Sequence, residues 1–578
     1  MKRWILTVLA IVQTVVTCIF LSNTFEYNFS YNIISALLFI LYLKIDKKIV
    51  KKIDNVRKTI IIYIISILFS ISIIVGTSLS YGNGFTNIFY ILGLILLSIM
   101  NSPIFAYLFS KLFYFIENNQ IIESKEKINK LEILKIFGII ILLWIPVLLA
   151  YYPGIFDYDV HTQLNYVLNN NYSTHHPLIH TVILGFFYNI GNIFNNYNIG
   201  ILLYTIIQMI VISFIISYSV VYLKRKGIPK KIIYLMIGFY ALFPVSSLLA
   251  ISVTKDIYFS GLVLAFIVCL MQIRDEEWKL SRKYVWLIFI TVLMILFRSN
   301  AIYALIIATI FILFLGIKKY KYLLISILIS IILFSGIELG LEKAFNAYTK
   351  NEKDMLSIPL QQLARVGDIY KSTLTEEEYN EISYYVSPKY YNQYLSDPIK
   401  NHTEISKIRN NYGKFIKIWF KYFIKYPTVY VESFLYNTQG YWYINDISHS
   451  EIYGISKEKR TGYLLTGTKE GYNVIHKSYC EPIESLYECL FTENNYQKIP
   501  IISLLCSPAL YIWILFIYFM FNIYSKRKDS IVISIFLIGL FITLLVGPTC
   551  LIRYVYPFIL CTPIIIGDMF IKKSSYKL

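Results

Sequence analysis

The sequence predicts an all-α protein that crosses a membrane many times, and two observations lead to that fold class. Hydrophobic residues make up 57% of the 578 residues, whereas charged residues make up only 15%. The apolar residues also come in saturated runs of spanning length, such as 59–79, 199–223 and 322–339, rather than in the amphipathic patterns of a soluble core. We therefore expect a polytopic membrane protein with about 14 transmembrane helices.

The lysines and arginines behind the formal net charge of +19 lie in short segments between the apolar runs. Such loops mark the cytoplasmic side of a membrane protein and do not require a nucleic-acid partner. Placing residues 44–58, 123–135, 224–231 and 525–529 in the cytoplasm gives a path with both termini cytoplasmic. The abundance of Ile, Asn, Lys and Tyr fits a protein of a bacterial plasma membrane.

One apolar segment, residues 177–194, decides whether this path is consistent. It is short and is interrupted by Gly185, Asn189 and Gly191. If it crossed the bilayer, every later basic loop would face outward. We therefore expect an interfacial or re-entrant helix on the outer face.

The chain divides into four expected parts. A four-span N-terminal module covers 1–132, a membrane core 133–340, an extracytoplasmic and mainly α-helical domain 341–498, and three further spans 499–578. The third part is the only long polar segment, and it is long enough for a small folded domain.

Two of the seven cysteines, Cys480 and Cys489, lie in that polar segment, and the other five lie in or next to apolar runs. Outside the membrane the pair could form a disulfide that closes a short loop. The alternative is two free thiols, and we expect the disulfide.

Acidic and basic side chains gather at the predicted outer ends of four spans. Taken singly, each could be a helix cap or an anchor in the headgroup region. Together they predict a ring of charge around one outer cavity, because charged groups near lipid are expensive and mark functional sites. The set comprises Asp157, Asp159, Lys255, Asp256, Arg298 and Arg553.

Three histidines follow the first two acids, in the motif HHPLIH at 175–180. His176 and His180 could ligate a metal from one helix face. The other interpretation is a helix that starts at Pro177, since proline is favoured in the first turn. We assign no cofactor and leave a divalent metal open.

The order of these motifs resembles the GT-C membrane glycosyltransferases. FDYDVHTQ (156–163) resembles the family's first outer loop, HHPLIH its His-Pro-Pro-Leu-like motif with Leu178 in place of the second proline, and TKD (254–256) its second acidic loop. Arg553, Tyr554 and Pro557 are similar to its Arg-Tyr-x-x-Pro-like element. With SIPLQQLARV (357–366), the set looks like an uncharacterised bacterial family of GT-C-like proteins, over roughly 134–571.

The resemblance implies a GT-C-like fold and the transfer of a sugar from a polyprenyl-phosphate donor to an envelope glycan, lipid or protein at the outer face of the membrane. Asp159 would be the catalytic base, with Asp157 as the alternative, and Asp256 a second acid. The donor phosphate would be held by Lys255, Arg298, Arg553, His175 and His176. Residues expected to contact substrate are Gln163, Asn300, Tyr554, Gln361, Gln362 and Arg365.

Two other function classes fit parts of the sequence. A transporter or flippase of a lipid-linked or small solute would explain the many spans. However, the predicted bilayer core holds few ionisable residues, and no repeated halves are evident. A structural scaffold in envelope assembly would explain the external domain but not the clustered acids.

Overall fold

The computed structural model describes residues 3–29, 33–50, 55–81, 84–85, 87–124, 128–156, 158–348, 356–446, 472–491 and 495–572, with backbone alone for 46–50 and 158. The described residues are dominated by helices. The first part of the chain forms α1 (Arg3–Phe25), α2 (Ile33–Val50), α3 (Val56–Tyr81), α4 (Ile88–Asn118), β1 (Ile121–Ile122), α5 (Lys130–Ala150), α6 (Tyr158–Leu168), α7 (Leu178–Ile193), α8 (Tyr197–Arg225), α9 (Lys230–Leu242), α10 (Pro244–Ala250), α11 (Lys255–Asp275), α12 (Lys283–Phe297) and α13 (Asn300–Ala344).

The remainder forms a group of shorter helices and then the last apolar helices. These are α14 (Ser357–Ile369), α15 (Glu376–Tyr385), α16 (Asp397–Asn401), α17 (Ile405–Arg409), α18 (Tyr412–Lys425), α19 (Pro427–Trp442), α20 (Glu481–Phe491), α21 (Pro500–Cys506), α22 (Pro508–Tyr524), α23 (Lys528–Leu545), α24 (Ile552–Met569) and β2 (Ile571–Lys572).

Among the described residues, nine helices are long and apolar enough to cross a membrane, or up to 11 if each of two bent pairs is one span. The bent pairs are α9 with α10, at 55°, and α21 with α22, at 69°. Helices suit such apolar runs because each backbone hydrogen bond is made within its own segment. The chain is therefore an all-α polytopic membrane protein.

Helix α13 reverses its direction at Gly316, whose φ of 136° and ψ of 101° are not helical. Positive φ at this position is accessible to glycine because it has no Cβ. Lys319, just after the reversal, pairs with Asp529, and Tyr348, just after the end of α13, bonds to the backbone of Tyr172. The two expected spans at 301–316 and 322–339 thus occupy the two arms of this one element.

The predicted basic loops meet at one end of the bundle, which we call the basic end. There β1 pairs with β2 in parallel, Lys226 pairs with Glu123 and Asp275, and Arg274 binds Asp568 at 2.8 Å. These contacts tie the segment after α4 to the ends of α8, α11 and α24. The opposite end, where α6, α7 and the start of α11 lie, is called the site end.

Helix α7, the segment that decides the path, packs on the first turns of α8. A Cβ on Gly200 would meet the backbone oxygen of Phe187 and the nitrogen of Gly191, and His180 bonds to Tyr204. With 16 residues, α7 is one of the shorter apolar helices and not one of the nine spans. It therefore folds back along the site end of α8.

The inserted segment has a core of its own. Buried side chains of α14 to α19, including Leu360, Leu363, Ile408 and Tyr422, form one cluster separate from that of the membrane helices. Glu432 of α19 connects this unit to the N-terminal helices, because its carboxylate accepts hydrogen bonds from the Phe85 backbone N–H and from Arg365.

The expected disulfide between Cys480 and Cys489 is wrong, because both are free thiols. The backbone carbonyl of Cys480 accepts the first hydrogen bonds of α20, from Ile483 and Glu484, and Cys489 lies within the same helix. At about 1.5 Å per residue the two Cα atoms are about 13 Å apart. A disulfide requires less than about 7 Å.

Candidate functional site

Short backbone pairings set the first outer loop against the start of α11. The N–H of Ile155 donates to the carbonyl of Ile251 at 2.9 Å, and the N–H of Val253 donates to the carbonyl of Ile155 at 2.9 Å. These bonds fix the end of the loop after α5 beside the residues that precede Lys255. Asp159, in the first turn of α6, therefore faces the first turn of α11.

Five of the expected charged residues meet at this point, and we call them the charge cluster: Asp159, Lys255, Asp256, Arg298 and Arg553. Lys255 forms an ion pair with Asp159, and Arg553 Nη1 lies 3.8 Å from the same carboxylate. On the other side of the cluster, Arg298 Nη1 lies 2.8 Å from Asp256 Oδ1, and Arg553 Nε lies 3.5 Å from Asp256 Oδ2. Arg553 thus bridges the two carboxylates.

Burial differs between the two acids. The Asp256 side chain is 1% exposed, whereas that of Asp159 is 17% exposed and that of Lys255 is 15% exposed. Asp256 is therefore enclosed by its two arginines, while Asp159 and Lys255 keep a face toward solvent. The exposed face of the cluster is the part that a ligand can reach.

Tyr554 completes the arginine side of the cluster. Its ring lies 4.4 Å from the Arg298 guanidinium and 5.3 Å from that of Arg553. Contacts of this kind between a cation and an aromatic face are favourable and hold the guanidinium plane in place. Asn300 begins α13 two residues after Arg298, and its side chain is half-buried.

The histidine motif contributes to the cluster through one ring. His176 Nδ1 lies 3.3 Å from Lys255 Nζ, and the His175 and His176 ring centroids are 4.4 Å apart. Pro177 precedes the first helical residue of α7, as the helix-start interpretation expects. Among the described residues, no group of three or more His, Cys, Asp or Glu side chains could hold a metal ion.

His180 and Gln163 lie behind the cluster in a buried hydrogen-bonded chain. His180 Nδ1 is 3.0 Å from Gln163 Oε1, and His180 Nε2 is 2.7 Å from the Tyr204 hydroxyl. Gln163 Nε2 donates to Thr181, and Gln208 Nε2 donates to the backbone carbonyls of Ala250 and Ser252. Because an amide oxygen only accepts, His180 Nδ1 donates to Gln163, and the Tyr204 hydroxyl lies within reach of both His180 Nε2, at 2.7 Å, and Gln208 Oε1, at 3.2 Å.

Through these hydrogen bonds Gln163 supports the packing of the helices behind the charge cluster and is not a member of that cluster. It connects α6 and α7 with α8 and with the carbonyls just before α11. Tyr204 and Gln208, which lie four residues apart within an apolar run, were not expected from the sequence. Their spacing on one helix face was the available signal.

The three expected substrate residues of SIPLQQLARV are not at the site. Gln361 donates to the Asn392 carbonyl, Gln362 donates to the Tyr430 carbonyl at 3.1 Å, and Arg365 binds Glu432 at 2.6 Å. All three side chains are buried within the inserted domain. Asp157, the alternative base, lies outside the described residues.

The charge balance of the cluster determines the state of Asp159. Burial would raise the pKa of this carboxyl, but Lys255, Arg553 and His176 together hold its pKa well below the usual range. Asp159 is therefore a carboxylate at neutral pH. Among the described residues, Lys255, Arg298 and Arg553 thus lie within one small volume around the carboxylates of Asp159 and Asp256.

Comparison of the sequence with known protein families, curated proteins and solved structures finds a match to a family profile. No curated protein and no solved structure matches this chain. The profile of a family of unknown function, DUF6020, matches residues 167–577, a range that includes α7 to β2 and four of the five members of the charge cluster but begins after Asp159. The chain therefore belongs to the DUF6020 family of proteins of unknown function.

Proposed function

We propose that this protein is a GT-C-type membrane glycosyltransferase that moves a sugar from a polyprenyl-phosphate donor to a cell-envelope acceptor. One observation carries the proposal: a solvent-facing carboxylate, Asp159, lies directly against Lys255 and Arg553. Transfer of a glycosyl group from a lipid phosphate needs a base for the acceptor and fixed cations for the departing phosphate. The charge cluster supplies both within one small volume.

The ion pairs of Asp159 suggest how its basicity is controlled. While Lys255 and Arg553 neutralise this carboxylate, its low pKa makes it a weak base. A donor phosphate that binds these two cations would weaken their hold on Asp159 and raise its affinity for a proton. Donor binding would thus activate the base before the acceptor hydroxyl or amine loses its proton to it.

In this mechanism the bond between the anomeric carbon and the phosphate oxygen breaks as the acceptor attacks that carbon. The leaving phosphate gains negative charge, which Lys255 and Arg553 stabilise. The acceptor proton moves to Asp159. His176, 3.3 Å from Lys255, lies where it can orient the lysine or donate to the same phosphate.

Asp256 takes a different role from the one the resemblance implies. Its side chain is 1% exposed, and both of its oxygens face arginines. We assign it to positioning Arg298 and Arg553 rather than to contact with acceptor or sugar hydroxyls. Arg298, stacked on Tyr554, would then present its remaining donors to the donor phosphate.

The proposed topology follows from the two ends of the bundle. The basic end carries the loops that favour the cytoplasm, so the charge cluster at the opposite end faces outward, where a bacterial polyprenyl-phosphate sugar is presented. Counting both arms of α13, each bent pair and the shorter helices α2 and α12, the chain crosses about 14 times. Both termini are then cytoplasmic.

The test uses membranes that contain the full-length protein and a panel of radiolabelled polyprenyl-phosphate sugars. We expect one donor to be cleaved, with release of polyprenyl phosphate, by the wild type and by Asp368→Asn, which changes an exposed carboxylate of α14. Asp159→Asn should release about 10²–10⁴-fold less polyprenyl phosphate than the wild type.

Equal donor cleavage in Asp159→Asn and the wild type would overturn the assignment of the base. Movement of an intact lipid-linked sugar across the membrane, with no cleavage of any donor in the panel, would overturn the transferase and identify a flippase.

A further inference from the structure

A second polar region lies at the basic end, far from the charge cluster. Here a cavity of about 600 Å³ opens between the end of α4, the residues on either side of β1, the end of α11, the turn before α23 with the first residues of α23, and β2. Five cationic and four acidic side chains are among its lining residues. Its volume is within the range of small-molecule sites, about 300–1,000 Å³.

Three of the four acidic side chains of this cavity pair with cations that do not line it. Glu117 pairs with Lys58 at 2.9 Å, Glu123 pairs with Lys226, and Asp529 pairs with Lys319. The fourth acid, Asp275, shares Lys226 with Glu123 and also lies 3.5 Å from Arg274, which lines the cavity, and 3.9 Å from Arg225, which does not. Each of the four acids therefore has a cationic partner other than the lysines of the cavity.

The lining cations fall into two groups. Arg274 and Arg527 both bind the buried carboxylate of Asp568, at 2.8 and 2.9 Å. Lys526, Lys528 and Lys572 are exposed and have no acidic partner within the part of the chain that the structure describes. The cavity thus holds three exposed lysines that form no ion pair with any described acid.

The backbone adds to this positive potential. Helix α23 starts at Lys528, and no side chain caps its first turn. The positive end of its dipole and its first N–H groups lie at the residues that line the cavity. A helix start and three exposed lysines at one cavity form a setting for an anion with several oxygens.

We propose that this cavity binds a phosphoryl group, supplied either by an anionic phospholipid headgroup or by a soluble phosphate. Basic pockets between membrane helices next to the bilayer surface bind such headgroups. Next to the cavity, β1, which follows the N-terminal helices, pairs with β2. The end of α11 also lines the cavity, and Lys255 lies at the other end of that helix. Binding would therefore stabilise the connection between the N-terminal helices and the rest of the bundle.

The test measures the midpoint of thermal unfolding of the purified full-length protein. One arm compares the midpoint in inorganic phosphate with that in sodium chloride at the same ionic strength. The other arm compares detergent micelles that contain phosphatidylglycerol with micelles that contain phosphatidylcholine. We expect a rise in at least one arm. A rise with phosphatidylglycerol alone assigns the lipid source, and a rise with inorganic phosphate assigns the soluble source.

The variant Lys526→Gln/Lys528→Gln should weaken this response by about 25-fold in ligand concentration, since each lysine near a phosphate surface contributes about 1 kcal/mol. The matched control is Lys230→Gln/Lys231→Gln, which removes two exposed lysines from the same end but not from the cavity. Lys572→Gln should weaken the response by about fivefold, and serves if the double variant folds poorly.

Two results would overturn the proposal. No rise of the wild-type midpoint in either arm would exclude a phosphoryl site. An equal loss of response in the cavity pair and in the control pair would show general attraction to the basic end instead of a site.

Discussion

Arg298 and Asp256 join the end of one membrane helix to the start of another. Arg298, in the turn between α12 and α13, donates from Nη1 to Asp256 Oδ1 in the first turn of α11 at 2.8 Å, and Asp256 is almost fully buried. Breaking a buried ion pair from one side costs about 3–5 kcal/mol, because the remaining charge has no compensation. This pair therefore combines a structural and a proposed functional role.

Arg298→Ala should lower the free energy of unfolding by less than the ~3–5 kcal/mol of a fully unpaired buried charge, because Arg553 Nε still lies 3.5 Å from Asp256 Oδ2, and it should also weaken donor binding and turnover. The same substitution in an Asp256→Asn background should destabilise less than in the wild type, because no buried carboxylate is left alone. Chemical denaturation in detergent, together with donor titration, measures both effects. Equal destabilisation in both backgrounds would contradict the pairing.

Asp159→Asn should reduce sugar transfer by about 10²–10⁴-fold while expression and folding are kept, since general-base assistance is typically of that size. Asp157→Asn should have a milder effect. Release of polyprenyl phosphate in membranes that contain each variant provides the measurement. Full activity in Asp159→Asn with loss in Asp157→Asn would exchange the two roles.

His180 should make stability depend on pH. Burial, with a contribution from Lys255, lowers the pKa of His180 to about 3, whereas an unfolded histidine has a pKa of about 6.5. The unfolded chain therefore binds a proton that the folded chain does not bind between these values, so stability is full above about pH 6.5 and falls as the pH drops toward 3.

The slope should approach about 1.4 kcal/mol per pH unit relative to His180→Gln. Denaturation of the two proteins at several pH values gives this difference. A parallel response of His180→Gln and wild type would disprove the buried neutral imidazole.

Glu432→Gln should destabilise the protein by about 3–5 kcal/mol, because it leaves Arg365 buried without its anion. Glu404→Gln, in the exposed pair with Lys407, should change stability by less than about 0.5 kcal/mol. If Arg365 instead bound substrate, Arg365→Gln would raise KM for the donor and leave the unfolding midpoint unchanged.

Cys489, an exposed free thiol, should react with a membrane-impermeant maleimide in intact cells without any reductant. In a Cys489→Ser background, cysteines placed at Asn195 and Asn401 should also be labelled, and a cysteine placed at Lys231 should not. Labelling at only one of Asn195 and Asn401 would contradict the proposed path. If Cys489 were labelled only after addition of a reductant, the disulfide with Cys480 would be supported instead.

The apolar runs of the sequence determined the fold class, because the length and saturation of a run are enough to specify a membrane helix. The positions of Asp159, Lys255, Asp256, Arg298 and Arg553 at the ends of four such runs were also sufficient to predict that they meet. Helices of similar length that cross one bilayer bring their ends to common levels.

Only the tertiary structure decided which partners these side chains take. Gln361, Gln362 and Arg365 were expected to contact substrate. They are instead buried between α14, α19 and their neighbours, because the packing of an amphipathic helix fixes which face is enclosed. Cys480 and Cys489 were expected to form a disulfide that closes a short loop, but the helix that begins after Cys480 and contains Cys489 holds the two thiols apart. Likewise, the hydrogen bonds that connect His180, Tyr204 and Gln208 depend on how α7 packs on α8. Hydrophobic pattern acts locally along the chain, whereas hydrogen bonds and ion pairs form between whichever groups the packed helices bring within reach.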